Sequence, residues 1–136
     1  MTSAIPDCFY RVSVKALIQD YQGRFLLIKE IYNGEETWEL PGGWLDHGET
    51  PKEWLQREIM EEMWLDVTWV ADQPSYFLTW LENGKYKSNV VYKATVDHLD
   101  YTPSKECQEI HFFSRDEAMK EKLFPNVEKF VKMYRV

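Results

Sequence analysis

Between Thr50 and Leu65 the chain reads TPKEWLQREIMEEMWL, and this segment limits the fold more than any other. Thr50 suits a helix N-cap and Pro51 the first helical position, and Glu53, three residues after Thr50, completes a capping-box pattern. The spacing predicts a helix from Pro51 to about Met63. Leu55, Ile59 and Met63 recur at helical period and form its buried stripe. With Leu55 at zero and about 100° per residue, Glu62 falls near roughly −20°, Glu58 near roughly −60° and Glu61 near roughly −120°. The glutamates therefore run along the edge of the stripe instead of opposite it, and Glu62 nearly overlaps it. Like charges three and four apart repel. Partly buried carboxylates this close cannot all stay ionised without a compensating cation. A hard divalent metal fits, because Mg²⁺ takes oxygen ligands, keeps several waters and bridges carboxylates to phosphates. Taken alone, the helix also reads as a generic charged face.

The residues ahead of the helix shift that balance. Gly42, Gly43, Gly48 and Glu49 lead into it, and such a loop can aim a backbone carbonyl at a metal held by the first turns. Arg57 is the only cation between Lys52 and Lys85, and Glu49 lies eight residues before it. An ion pair between them would lock the loop onto the helix.

The remainder supplies layers for the helix to pack on. FYRVSVKALIQD and RFLLIKEIY alternate and are β-branched, and read as two strands of a hairpin joined at YQG. NGEET reads as a loop and WELPGGWLDHGE as loop-rich. VTWVAD, SYFLTWLE and YKSNVVYKATVD read as strands, with a hairpin turn at Asn83 to Lys85. LDYTPSKE is a polar loop and EIHFF a short strand. SRDEAMKEKL reads as a helix with Ser114 as N-cap and Glu117 three later. PNVEKFVKMY gives a last amphipathic helix with Val127, Phe130, Val131 and Tyr134 on one face. There is no repeat or linker in the 136 residues, so residues 1–136 are expected to form one α+β or α/β layered domain.

A net charge of −7 argues against charge-driven binding to DNA or to anionic membranes, though a polyanion can still bind where cations line the site. No apolar stretch approaches the ~20 residues of a membrane span. Cys8 and Cys107 form no CxxC pair and read as free thiols in a reducing compartment, so a cytoplasmic location is expected. His47, His98 and His111 show no ligand spacing.

The stretch from Gly43 to Leu65 resembles the Nudix box, G-x5-E-x7-R-E-U-x-E-E-x-G-U, with U aliphatic. Gly43, Glu49, Arg57, Glu58, Ile59, Glu61, Glu62 and Leu65 fill eight of its nine specified positions. Trp64 stands where the family has glycine. FLLIKE, WELPGG and KECQEIHFFSRDEA are also similar to the family. The resemblance implies an α/β/α sandwich with the box helix on a mixed sheet, and Mg²⁺- or Mn²⁺-assisted hydrolysis of a diphosphate linkage in a small-molecule nucleoside diphosphate derivative. The substrate could be a nucleotide sugar, ADP-ribose, a dinucleoside polyphosphate or a nucleoside triphosphate, oxidised or not. The signatures of NADH- and coenzyme A-cleaving members are missing. By position, Glu58, Glu61, Glu62 and the Gly42 carbonyl would hold metal, and Arg57 and Glu49 would orient them. The catalytic base would be Glu61 or Glu62, then Glu106 or Glu109. Substrate contacts are expected among Arg11, Lys29, Trp44, Tyr76 and Glu106, with Trp38, Phe77 and Trp80 as further aromatic candidates and Lys85 and Lys87 as further cations. A homodimer is compatible with this reading. The rival class is a Nudix fold that binds a nucleotide, protein or RNA without cleaving it, and Trp64 is its main support. Tryptophan in the left-handed conformation would cost roughly 1–2 kcal/mol. The chain is therefore expected to leave the helix by another route, such as an extra turn, with the indole over the sheet edge near Leu65 and Val67. The alternative is a ring projecting into the substrate cleft.

Overall fold

The computed structural model describes residues 9–80 and 86–135. Cys8, Lys85 and the expected turn at Asn83 to Lys85 lie outside them. The elements are β1 (Arg11–Leu17), β2 (Phe25–Tyr32), β3 (Glu35–Glu39), β4 (Gly42–Trp44), α1 (Pro51–Met63), β5 (Val67–Val70), β6 (Ser75–Trp80), β7 (Tyr86–Val96), β8 (Glu109–Phe113), α2 (Arg115–Ala118) and α3 (Pro125–Met133). Among the described residues no helix is long and apolar enough to cross a membrane.

There are two sheets where one was expected. The larger is mixed: β1 lies between antiparallel β4 and parallel β7. The far edge of β7 pairs with β6 through its first half and with β5 through its second. The smaller sheet, β3-β2-β8, is antiparallel. α1 covers one side of this pair and α3 the other, which makes the α/β/α sandwich. Alternation along β2 feeds both cores. Leu26 and Ile28 join Trp54, Leu55, Ile59 and Met63 of α1. Phe25 and Leu27 join Val127, Phe130 and Val131 of α3. Trp54, Leu55, Ile59 and Met63 are fully buried, each burial worth roughly 1.5–3 kcal/mol.

The expected β1–β2 hairpin is not what forms. Its turn exists, with Asp20 accepting from the Gln22 and Arg24 N–H groups at 2.9 Å each, and Gln19 bridges Phe25. Beyond that bridge the strands part into different sheets. The hairpin is β2–β3, closed by Asn33 and Gly34 at φ 51° and 77°. Two successive positive φ values give the turn whose twist matches paired strands. NGEET is therefore a turn and the start of a strand, not a loop.

The N-terminus of α1 keeps the expected Thr50 cap, with the Thr50 hydroxyl accepting from the Glu53 N–H at 3.3 Å, which is one half of the expected capping box. α2 forms the full capping box between Ser114 and Glu117 but stops at Ala118, short of the expected Leu123. The chain there turns to β3, where the Trp38 N–H donates to the Lys122 carbonyl at 2.9 Å.

Trp64 overturns the expected helix exit. It sits at φ 59°, ψ 35°, in the left-handed cap, and its N–H returns to the Met60 carbonyl. The indole is 64% exposed and stands largely in solvent, while Leu65 is fully buried. Burial of Leu65 requires this sharp exit, so tryptophan adopts the conformation that suits glycine. Trp64→Gly should therefore stabilise the fold by about 1 kcal/mol, and raise the melting temperature by about 3–5 °C in calorimetry. A lower melting temperature would mean that the indole contributes packing after all.

Candidate active site

Side chains alternate across a strand, so Arg11, Ser13, Lys15 and Leu17 leave β1 on one face. Register places Lys87 beside Arg11 and Asn89 beside Ser13 on β7. It places Trp44 beside Ser13 and Gly42 beside Lys15 on β4, and Thr79 beside Lys87 on β6. At one end of this face Leu17, Phe77 and Val91 pack under α3. At the other it opens as the floor of a cleft of about 1190 Å³, whose walls include Glu30, Glu39, Glu58, Glu62, Trp80, Glu106 and Asn126.

α1 lies on the opposite face, yet two of its glutamates reach the cleft because β4 has no side chains in the way. A Cβ at Gly43 would stand 3.2 Å from the Trp54 ring and 3.6 Å from Glu58 Oε1. A Cβ at Gly42, at φ 128°, would stand 2.1 Å from the Val14 carbonyl oxygen. Only glycine allows this approach. The Gly42 N–H donates to Glu62 Oε1 at 3.0 Å, and Glu62 is 4% exposed. Burial pushes the Glu62 carboxyl well above the usual carboxylate range, against the pull of the Lys15 ammonium and the Gly42 bond. Burial also raises half-buried Glu58, helped by repulsion from Glu61 and Glu106. Helix C-terminal carbonyls need donors, and here the Thr102 N–H reaches Met63 O at 2.9 Å and the Ser104 hydroxyl reaches Glu62 O at 2.8 Å. Those bonds fasten the loop that carries Glu106 to the end of α1.

Arg57 Nε donates to both Glu49 oxygens, at 3.0 and 3.2 Å, and its Nη1 donates to Glu61 at 2.9 Å. Glu61 is exposed and does not line the cleft. Among the described residues no three His, Cys, Asp or Glu side chains converge as a ready-made metal cage. Glu58 and Glu62 nonetheless present desolvated, hard oxygen donors to the cleft, and this donor set suits a cation that keeps waters and shares substrate oxygens.

Facing this acidic wall is a basic floor that the sequence reading missed in part. Lys15, 5% exposed, stands 3.7 Å from Glu39. Glu39 Oε1 in turn accepts from the Leu40 N–H at 2.9 Å and from Asn126 Nδ2 at 3.1 Å. The Arg11 guanidinium lies 4.1 Å and the Lys87 ammonium 4.7 Å from the Trp44 ring centre. Of the other expected contacts, Lys29 is turned away to Glu109 at 2.6 Å and Glu36 at 3.6 Å. Glu109, paired with Lys29, does not line the cleft. Tyr76 is 74% exposed and borders a separate cavity of about 320 Å³. Trp38 and Phe77 are core. Ser13, Lys15, Glu30, Glu39 and Asn126 were not anticipated. The signal for the first two was the period-two polar series within RVSVKAL, on a strand otherwise largely buried.

A model of the NUDIX domain matches residues 9–134. The chain belongs to the Nudix family. A MutT-like protein of Streptomyces ambofaciens is 43% identical over 58 residues, which are 43% of this Nudix chain and 36% of that protein. An RNA pyrophosphohydrolase of a Psychrobacter species is 36% identical over 56 residues, 41% of this chain and 31% of that one. The matched stretch thus spans about a third of these curated relatives. A NUDIX hydrolase from Nitrosomonas europaea superimposes with a TM-score of 0.75 at 21% identity, over 91% of this chain and 87% of that one, and so shares the fold.

The Arg57–Glu49 contact yields a direct test. Arg57→Ala and Glu49→Ala should each lower stability, and the double variant should lose less than the sum by about 0.5–1 kcal/mol, since contacting residues couple. Denaturant unfolding of the four proteins measures this, and a coupling of zero would leave the Gly-loop held by other contacts.

Proposed function

We propose that this chain hydrolyses the diphosphate linkage of a nucleoside diphosphate derivative, with Mg²⁺ or Mn²⁺ held by Glu58 and Glu62. The observation that carries this reading is the opposition, within one cleft, of two desolvated box carboxylates and a floor of Lys15, Arg11 and Lys87. When bound, the cation would neutralise charge on phosphoryl oxygens and make a nearby water a better nucleophile. The Gly42 carbonyl is a further candidate ligand. Lys15, fixed by Glu39, would hold a non-bridging oxygen of the substrate. In the reaction, the water oxygen bonds to one phosphorus, the bond from that phosphorus to the bridging oxygen breaks, and the departing phosphate keeps the electron pair. The water proton goes to a carboxylate. Glu106 is the choice left, because Glu62 is tied to Gly42 and Glu61 to Arg57. On this reading Glu61 orients Arg57 and with it the Gly-loop. The substrate class spans nucleotide sugars, ADP-ribose, dinucleoside polyphosphates and nucleoside triphosphates, and the name of the Psychrobacter relative adds RNA.

The competing reading, a binding module without turnover, drew on Trp64. That residue keeps the left-handed exit, and Glu58, Glu61 and Glu62 lie upstream with helical register intact. This favours the enzyme.

Glu62→Gln keeps the shape and removes the charge. With saturating Mg²⁺ and a panel of nucleoside diphosphate derivatives, its turnover should fall by roughly 100-fold or more, with the melting temperature held or raised. Glu61→Gln should fall by roughly tenfold or less, since only the Arg57 contact is affected. A Glu62→Gln protein as active as the parent would sink the metal assignment.

A further inference from the structure

α3 divides one face of the larger sheet into two hollows. β1, β6, β7 and α3 each line the cleft with one end and a second cavity, of about 320 Å³, with the other, and no residue lines both. That volume lies at the lower end of the roughly 300–1,000 Å³ of small-molecule sites. The floor of the second cavity is core. Leu17, Phe77, Val91, Phe130 and Tyr134 belong to the cluster under α3, yet each keeps between 5% and 8% of its surface open. Phe25, Leu27, Val127 and Val131 of the same cluster are fully buried. The core is thus incomplete at the C-terminal end of α3, where an apolar group would finish burying it.

The wall is set before any ligand arrives. Gln19 Nε2 donates to the Tyr134 hydroxyl at 2.6 Å, and that hydroxyl donates to the Gly23 carbonyl at 2.7 Å. Both polar groups are consumed, so Tyr134 shows the cavity a fixed ring. A wall that needs no ordering on binding loses less affinity to entropy.

The rim is cationic. Register sets Lys93 beside Leu17, and alternation sends its side chain off β7 on the same face as Val91. Arg135 follows Tyr134 at the end of α3. Both line the cavity and no Asp or Glu does, in a chain with 23 acidic residues against 16 Lys and Arg. Among the described residues neither forms an ion pair. Arg135 spends only Nη1, on the carbonyls of Lys132 and Tyr134, which leaves the rest of its fork for a carboxylate. Two cations over a hydrocarbon floor complement a compact apolar group that carries one anion. Such a floor would leave the hydroxyls of a sugar unpaired.

We infer that this cavity is a second ligand site, separate from the cleft, which binds a small hydrophobic carboxylate with its apolar group on Leu17, Phe77, Val91 and Phe130 and its charge at Lys93 and Arg135. The inference does not rest on the hydrolase reading.

NMR titration of the full, isotope-labelled chain with 3-phenylpropionate tests it, beside 3-phenylpropionamide, which lacks the charge, and propionate, which lacks the ring. 3-Phenylpropionate should shift the signals of Leu17, Val91 and Phe130 saturably, with half-saturation at about 1 mM or below, and leave those of Ser13 and Gly43 in the cleft unmoved. It should bind at least tenfold more tightly than the amide or propionate. Lys93→Ala and Arg135→Ala should each shrink the preference over the amide to threefold or less while amide binding stays unchanged, and Lys93→Arg should keep it. Both side chains are exposed, so these variants should fold as the parent does. Shifts that do not saturate, shifts confined to the cleft, or equal affinity for acid and amide would each overturn the inference. So would displacement by equimolar inorganic phosphate, because the site would then read the anion alone. Signals of the same residues that move with protein concentration in the absence of ligand would also overturn it, because a second copy of the chain would then cover the hollow.

Discussion

The bond from the Gly42 N–H to the Glu62 carboxylate joins two things that would otherwise lie on opposite sides of the sheet. α1 packs on the face of β1 that carries Val14 and Ala16, whereas the cleft opens on the face that carries Ser13 and Lys15. A carboxylate from the first can serve the second only at an edge where the backbone is bare. Gly42 and Gly43 make that edge, and the near-contact of a Gly43 Cβ with Trp54 and Glu58 shows how little room remains. The burial that raises the Glu62 carboxyl follows from the same approach, as does the placement of Glu58. The Glu106 loop depends on it too, since Thr102 and Ser104 are fastened to the last carbonyls of α1.

What the sequence revealed and what it hid divide along the range of the interactions. The limits of α1, its buried stripe and the half-sunk position of Glu62 were legible because capping and helical period are local. Glu49 and Arg57 were legible because eight residues and one unpaired charge left few choices. The partner of β2 was not, because two hairpins competed for it: YQG offered a turn, and Asn33–Gly34 offered the turn with the favourable twist. Strand pairing across β1 and β7, 76 residues apart in sequence, had no local signal. The floor of the cleft is assembled by that pairing, so Ser13 and Lys15 could be seen as an alternating polar series but not as a site.

Trp64 shows how tertiary demands override a local preference. A bulky side chain disfavours left-handed backbone by roughly 1–2 kcal/mol, which is smaller than the roughly 1.5–3 kcal/mol gained by burying a leucine. The next residue, Leu65, is fully buried. The helix therefore ends where Leu65 needs it to end, and the indole is left in solvent. The departure from the family pattern thus sits downstream of the carboxylates and changes the energy of the exit without moving them.

On the proposed reading, a chain of net charge −7 that takes a polyanion must concentrate cations where its own carboxylates do not neutralise them. Here the sheet does so by register. Lys15 is the exception, held against Glu39 and placed close enough to Glu62 to act on it, so that it balances the acidic wall when no ligand is bound. Among the described residues Arg11 and Lys87 form no ion pair and lie against the indole of Trp44, whose face attracts them without consuming their hydrogen-bond donors. Long-range attraction of an anion to such a protein is unfavourable, so affinity must come from contacts inside the cleft, where screening is weak. On that reading selectivity would follow from the spacing of those contacts along β1, which the order of residues in RVSVKAL sets.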